Sequence, residues 1–138
     1  VQALGHGETL SQLHLGGGTP TFLSDAELTR LMAALRGAFR FAPGIEASIE
    51  VDPRTVTPAR LTHLADLGFS RLSFGVQDFD ADVQRAVHRI QPEGQVRELV
   101  AHARRAGFAS INVDLIYGLP RQTPASFRRT VTQVAALA

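Results

Sequence analysis

At 138 residues, with 44% hydrophobic and 20% charged positions, the chain is sized for one ordinary soluble domain or a piece of a larger one, and it can bury a core. Its net charge of +1 comes from scattered residues, so neither a nucleic-acid footprint nor a polybasic membrane patch is visible, and no apolar run approaches the ~20 residues of a membrane span. All fourteen basic residues are Arg and cysteine is absent, which excludes a Lys Schiff base, a P-loop Lys, a disulfide framework and iron–sulfur ligation by these residues alone.

The first apolar run, Gln12 to Leu15, is short, is followed by turn residues and reads as a strand. Gly16-Gly17-Gly18-Thr19-Pro20 follows it. Three glycines serve either a tight strand-to-helix turn or a charged ligand that approaches bare backbone. A helix is predicted from Ser24, with Leu28, Leu31, Leu35 and Phe39 on one face and Ser24 and Glu27 at capping-box spacing. The next strand, Glu46 to Val51, runs into Asp52-Pro53-Arg54. Glu50 and Asp52 are expected on opposite faces. A barrel-facing Glu50 needs a cation or several donors, and Asp52 before Pro53 reads first as a turn residue.

Thr57-Pro58 opens a second helix that buries Leu61 and Leu64 and stops at Gly68. A third strand, Arg71 to Val76, delivers Gln77 at its end, either to ribose hydroxyls or to neighbouring loops. Arg89 falls just after a short helix, where it can fork to a substrate carboxylate or lie solvated. Pro92 to Ala106 is a helix with Val96, Leu99, Val100 and Ala103 inward and Gly107 as the stop. The fourth strand, Ser110 to Tyr117, holds Asp114 among apolar residues, where diol recognition or an Arg pair would satisfy it. Thr123-Pro124 starts a last helix carrying Phe127, Val131 and Val134. The five histidines lack metal-ligand spacing and read as structural, His14 in a buried-looking strand. No nucleophile elbow supports acyl transfer.

Leu67-Gly68-Phe69 and Ala106-Gly107-Phe108 each lead into a strand, 39 positions apart, so helix, Gly, Phe, strand is an internal repeat. The expected class is α/β, with four parallel strands alternating with helices. They fit either a small open sheet or an arc of a (β/α) barrel. Val1 has no cap and Ala138 falls inside a helical pattern, so a barrel segment cut at both ends, spanning 1–138, is the preferred expectation. Gly17, Glu50, Gln77 and Asp114 then stand at the carboxyl ends of successive strands, where such a barrel keeps its ligand.

With these motifs in place, the chain resembles the oxygen-independent coproporphyrinogen III oxidases (dehydrogenases) of the radical S-adenosylmethionine superfamily. The resemblance is carried by SQLHLGGGTPTFL at 11–23, SIEVDPR at 48–54, RLSFGVQDFD at 71–80, VQRAVHRIQ at 83–91 and NVDLIYGLPRQT at 112–123. GGGTP alone indicates only the superfamily; EVDPR with AVHRIQ is far more specific. The resemblance implies an incomplete triose-phosphate-isomerase-type barrel that binds two S-adenosylmethionine molecules. Gly17 and Glu50 would contact the first, and Gly18, Thr19, Gln77, Arg89 and Asp114 the second.

It further implies radical oxidative decarboxylation of coproporphyrinogen III to protoporphyrinogen IX in haem synthesis, with an unspecified electron donor; with no apolar span and no charged-then-apolar leader in the sequence, the cytoplasm is the expected compartment. A [4Fe-4S] cluster on a C-x-x-x-C-x-x-C motif upstream of GGGTP would supply the electron. Since these residues hold no cysteine, the segment alone is expected to be inactive. The leading alternative is a haem-binding or haem-transferring homologue without oxidase activity, and a more distant one is a noncatalytic α/β binding module complete as written.

Overall fold

A computed structural model describes residues 7–137. Four strands, β1 (Thr9–Leu15), β2 (Arg40–Val51), β3 (Arg71–Gln77) and β4 (Ser110–Leu115), form one sheet in the order β1-β2-β3-β4, with every neighbouring pair parallel. Between and after them run α1 (Asp25–Ala38), α2 (Pro58–Asp66), α3 (Ala81–Ala86), α4 (Glu93–Arg105) and α5 (Pro124–Ala135), with a 3₁₀ turn at Pro20–Phe22.

The helix boundaries follow local chemistry. Ser24 and Glu27 close the expected capping box, the Glu27 amide donating to Ser24 Oγ at 3.3 Å and the Ser24 amide to Glu27 Oε2 at 2.8 Å. Both repeat glycines are left-handed, φ +92° at Gly68 and +98° at Gly107. Each ends its helix with the same pair of bonds: the Gly68 and Phe69 amides reach Ala65 and Leu64 carbonyls, and the Gly107 and Phe108 amides reach those of Arg104 and Ala103. This is the Schellman arrangement, and the buried Phe that follows each Gly closes its apolar contact.

Burial alternates along the strands. Leu72, Phe74 and Val76 of β3 are fully buried, as are Ala47, Ile49 and Val51 of β2. They pack with Leu28, Leu61, Leu64, Val96 and Ala103 from the helices in one core. The alternate positions, including His14, Ser48, Glu50, Ser73 and Asp114, face away from that core and line the sheet's opposite side. A doubly wound sheet would bury both faces; sequential parallel strands with helices on one face make an arc of a barrel.

Several boundaries differ from expectation. β2 begins at Arg40, six residues before Glu46, because Arg40 and Phe41 pair with Thr9 and Leu10 ahead of a bulge around Pro43 and left-handed Gly44. β4 stops at Leu115, leaving Ile116 and Tyr117 exposed, because the register slips between Gly75 and Gln77 and the chain then turns through left-handed Gly118. In α1, Met32 takes the fully buried place, while Leu31 and Leu35 are half-buried. In α5, Ser126 and Thr130 are the buried residues, whereas Val131 is exposed and Phe127 and Val134 are half-buried. The helical pattern closes at Ala135 and Leu137 folds back into the core. Val1 and Ala138, on which the expected truncation rests, lie outside the described residues.

Candidate functional site

The carboxyl ends of the strands converge on a cavity of about 160 Å³ lined by Gly18, Thr19, Glu50, Gln77, Arg89 and Asp114, together with Asp52 and Gly75. Six of the seven residues chosen from sequence therefore share one concavity; Gly17 lies in the adjoining loop. A second cavity of about 320 Å³ continues down the polar face past His14, Ser48 and Ser73, and it shares Glu50 and Asp114 with the first. Together the two fall within the ~300–1,000 Å³ typical of small-molecule sites.

Backbone geometry explains how each group arrives. Gly17 and Gly18 are left-handed, φ +75° and +72°, and an added Cβ on either would meet nothing within 4 Å, so their backbone faces open space. Gln77 is also left-handed, φ +70°, although it is not glycine. Its carbonyl accepts from Ile116 N at 3.0 Å, and its amide nitrogen lies over Gly75, where a Cβ would come within 3.2 Å of it. Gly75 thus keeps the floor open beneath Gln77.

Glu50 and Asp52 line the same cavity, not opposite faces, because positions two apart on a strand point the same way. Glu50 is half-exposed, and the group nearest in charge is His14, whose Nε2 lies 3.5 Å from Oε1. His14 itself is exposed and not buried; its Nδ1 is 2.8 Å from Ser48 Oγ. Asp114 is exposed as well. Its partner is the Ser73 hydroxyl, which donates to Oδ2 at 2.6 Å, and not an Arg.

Asp52 does form the predicted turn, its Oδ1 accepting from Arg54 N at 3.0 Å and its carbonyl from Thr55 N and Val56 N. It also clamps two guanidinium groups, Arg54 Nη2 at 2.6 Å and Arg89 Nη2 at 3.3 Å. Burial pushes its carboxyl up, but hydrogen bonds from Arg54 and the charges of Arg89 and Arg54 outweigh this and hold it below the ordinary value. Arg89 donates through Nη2 to Gly75 O at 3.1 Å, while its Nε is buried and has no partner. A buried unpaired donor is costly, and this one sits in a residue that lines the cavity.

The arrangement offers an anion acceptor site at Arg89, an exposed carboxylate at Glu50, a second at Asp114 for hydroxyl or ammonium donors, and bare backbone at Gly17 and Gly18. Among the described residues no cluster of three or more His, Asp or Glu could hold a metal ion.

The family model of the radical SAM superfamily matches residues 1–134. The chain belongs to the radical SAM superfamily. Among curated proteins, this superfamily member is 55% identical to an oxygen-independent coproporphyrinogen III oxidase of Escherichia coli over 95% of the chain, and 50% identical to the Helicobacter pylori protein of the same name over 93%. It spans only 29% and 28% of those proteins. The crystal structure described as coproporphyrinogen III oxidase from Escherichia coli, a radical SAM enzyme, superposes with a TM-score of 0.90 at 55% identity, over 94% of this chain and 30% of that one. An archaeal Elp3 matches with a TM-score of 0.72 at 14% identity, a likeness of fold alone.

Sequence reasoning missed His14, Ser48 and Ser73 as parts of the polar face. The signal was present: Ser48 stands two before Glu50 on β2, and such positions share a face.

Proposed function

We propose that this chain supplies the S-adenosylmethionine-binding wall of an oxygen-independent coproporphyrinogen III oxidase, with coproporphyrinogen III as substrate and the cytoplasm as compartment. One observation carries the reading: the unpaired, buried Nε of Arg89 in a residue lining a cavity that also gathers Gly18, Thr19, Glu50, Gln77 and Asp114. A zwitterionic nucleoside fits that donor set. Arg89 would take a carboxylate, Glu50 an ammonium beside the glycine backbone of Gly17 and Gly18, and Gln77 and Asp114 the ribose hydroxyls. The residues fit the group by their chemistry, and Glu50 and Asp114 line both of the joined cavities.

Gly17, Gly18, Glu50, Gln77, Arg89 and Asp114 would bind and orient S-adenosylmethionine, which when bound and reduced would supply hydrogen-abstracting chemistry. A cluster's thiolates would come from outside these residues, because none of the 138 is Cys. The likeness over nearly the whole chain to proteins named coproporphyrinogen III oxidase supports that substrate over others.

The test is anaerobic assay of the full-length protein with coproporphyrinogen III, reductant and S-adenosylmethionine. Carbon dioxide release with formation of protoporphyrinogen IX is expected. Stoichiometric haem transfer without decarboxylation would overturn the oxidase reading in favour of a haem-transferring homologue, and calorimetry showing no S-adenosylmethionine binding would overturn the site.

A further inference from the structure

Asp78, next to Gln77, is 1% exposed and its carboxylate accepts three hydrogen bonds: from Asp80 N at 2.7 Å, Thr130 Oγ1 at 2.5 Å and Gln122 Nε2 at 2.5 Å. Those donors come from three separate places, the loop before α3, the buried face of α5 and the loop after β4. Thr130 Oγ1 also accepts from Phe79 N at 3.2 Å. The Asp78 carbonyl accepts from Gln84 Nε2 at 2.9 Å, and the same Gln84 nitrogen reaches Gln91 O at 2.9 Å, while Gln91 Nε2 donates to Val76 O. The carbonyl of Gln84 meanwhile accepts from Arg89 N at 2.9 Å.

At the centre of this braid the Asp78 amide donates back to Val76 O at 2.9 Å, closing a three-residue γ-turn around Gln77 with φ +70°. That hand of the γ-turn is rare and strained, and it persists only where its surroundings over-determine it. A carboxylate so fully enclosed is costly to bury unless hydrogen-bonded, and here both of its oxygens accept. The sequence reading stopped at Gln77 and overlooked the adjacent Asp.

From this we infer that the Asp78 network, anchored by Thr130 and Gln122, is a positioning device that locks Gln77 in its left-handed turn and aims its amide into the cofactor cavity. Thr130 does not line that cavity, so any effect it has there travels through Asp78 and Gln77. The inference rests on the proposed S-adenosylmethionine site for its functional consequence, though not for the turn itself.

The test compares Thr130→Val, which keeps the volume and loses the hydroxyl, with Thr130→Ser, which keeps the hydroxyl and loses a methyl, in the full-length protein. Amide NMR of the ligand-free protein and calorimetry with S-adenosylmethionine are the readouts. For Thr130→Val, displaced Gln77 and Asp78 resonances and affinity lower by about fivefold are expected, the scale on which contacting residues couple. Thr130→Ser should keep wild-type resonances and affinity even though it loses packing. In a Gln77→Ala background Thr130→Val should change affinity by less than about twofold.

Unmoved Gln77 resonances in Thr130→Val, a Thr130→Ser as impaired as Thr130→Val, or an undiminished effect in the Gln77→Ala background would each overturn the inference. A wild-type protein that binds no S-adenosylmethionine defeats the proposed function instead, and the resonances then decide the turn alone. Should Thr130→Val fail to fold, Gln122→Met removes another donor from the same carboxylate and should shift the same resonances.

Discussion

Adjacent glycines in the first loop should respond to alanine in opposite ways, which tests whether that loop serves the site or only the turn. At Gly16 the backbone is in a region open to any residue, but an added Cβ would lie 2.9 Å from Glu50 Oε1 and closer still to His14 Nε2. Both obstacles are the far ends of half-exposed, flexible side chains, so the chain yields by swinging them aside. Gly16→Ala should therefore leave stability unchanged or raise it by up to ~1 kcal/mol through the unfolded state. With Glu50 holding an ammonium as proposed, displacing it would forfeit one charge-assisted hydrogen bond, ~1.5–3 kcal/mol, or roughly 10- to 150-fold in S-adenosylmethionine affinity.

Gly17→Ala meets no neighbour within 4 Å but must hold φ +75°, at a cost of about 1–2 kcal/mol in stability. Chemical denaturation with calorimetry on the full-length variants separates the two effects. The reasoning fails if Gly16→Ala binds like wild type, or if it loses more stability than Gly17→Ala.

Other expectations concern single side chains. Glu50→Gln should lower S-adenosylmethionine affinity by at least about tenfold while shifting the unfolding midpoint little, since the group is half-exposed and its His14 pair lies near the surface; calorimetry and thermal unfolding check this. Arg89→Lys removes the planar fork and the buried Nε, and should weaken binding by about tenfold or more, read in the same titration. Asp52 titrates below its ordinary value in the fold, so the stability it contributes is present above the unfolded carboxyl value near 3.8 and is lost as pH falls through the folded one. Denaturant titrations from neutral to strongly acidic pH should then show a shallower acid loss for Asp52→Asn than for wild type.

Much of this architecture was legible because local rules and tertiary packing agree. The capping box at Ser24 and the paired Gly-Phe stops are short-range chemistry, and the structure keeps each of them. Strand-end positions also bring the candidate residues together, since a parallel sheet points its carboxyl ends one way. What escaped was set by partners far along the chain. Asp114 and His14 read as buried from their apolar neighbours, yet alternation turns them to the polar face. The last helix shows an apolar stripe in sequence, but the buried carboxylate of Asp78 recruits its hydroxyl side, so Thr130 goes inward and Val131 outward. The bulge at Pro43-Gly44 likewise follows from the pairing of Arg40 with Thr9, which no local pattern announces.

Strict alternation along β3 has an evolutionary corollary. Because Leu72, Phe74 and Val76 interleave with Ser73, Gly75 and Gln77, a slip by a single position would drive the cavity-facing groups into oil and the greasy ones into water. The hydrophobic layer therefore acts as a keel for chemistry on the far side of the sheet: ancestral drift there can exchange one aliphatic for another, whereas inserting or deleting one residue within the strand would erase fold and pocket in the same event.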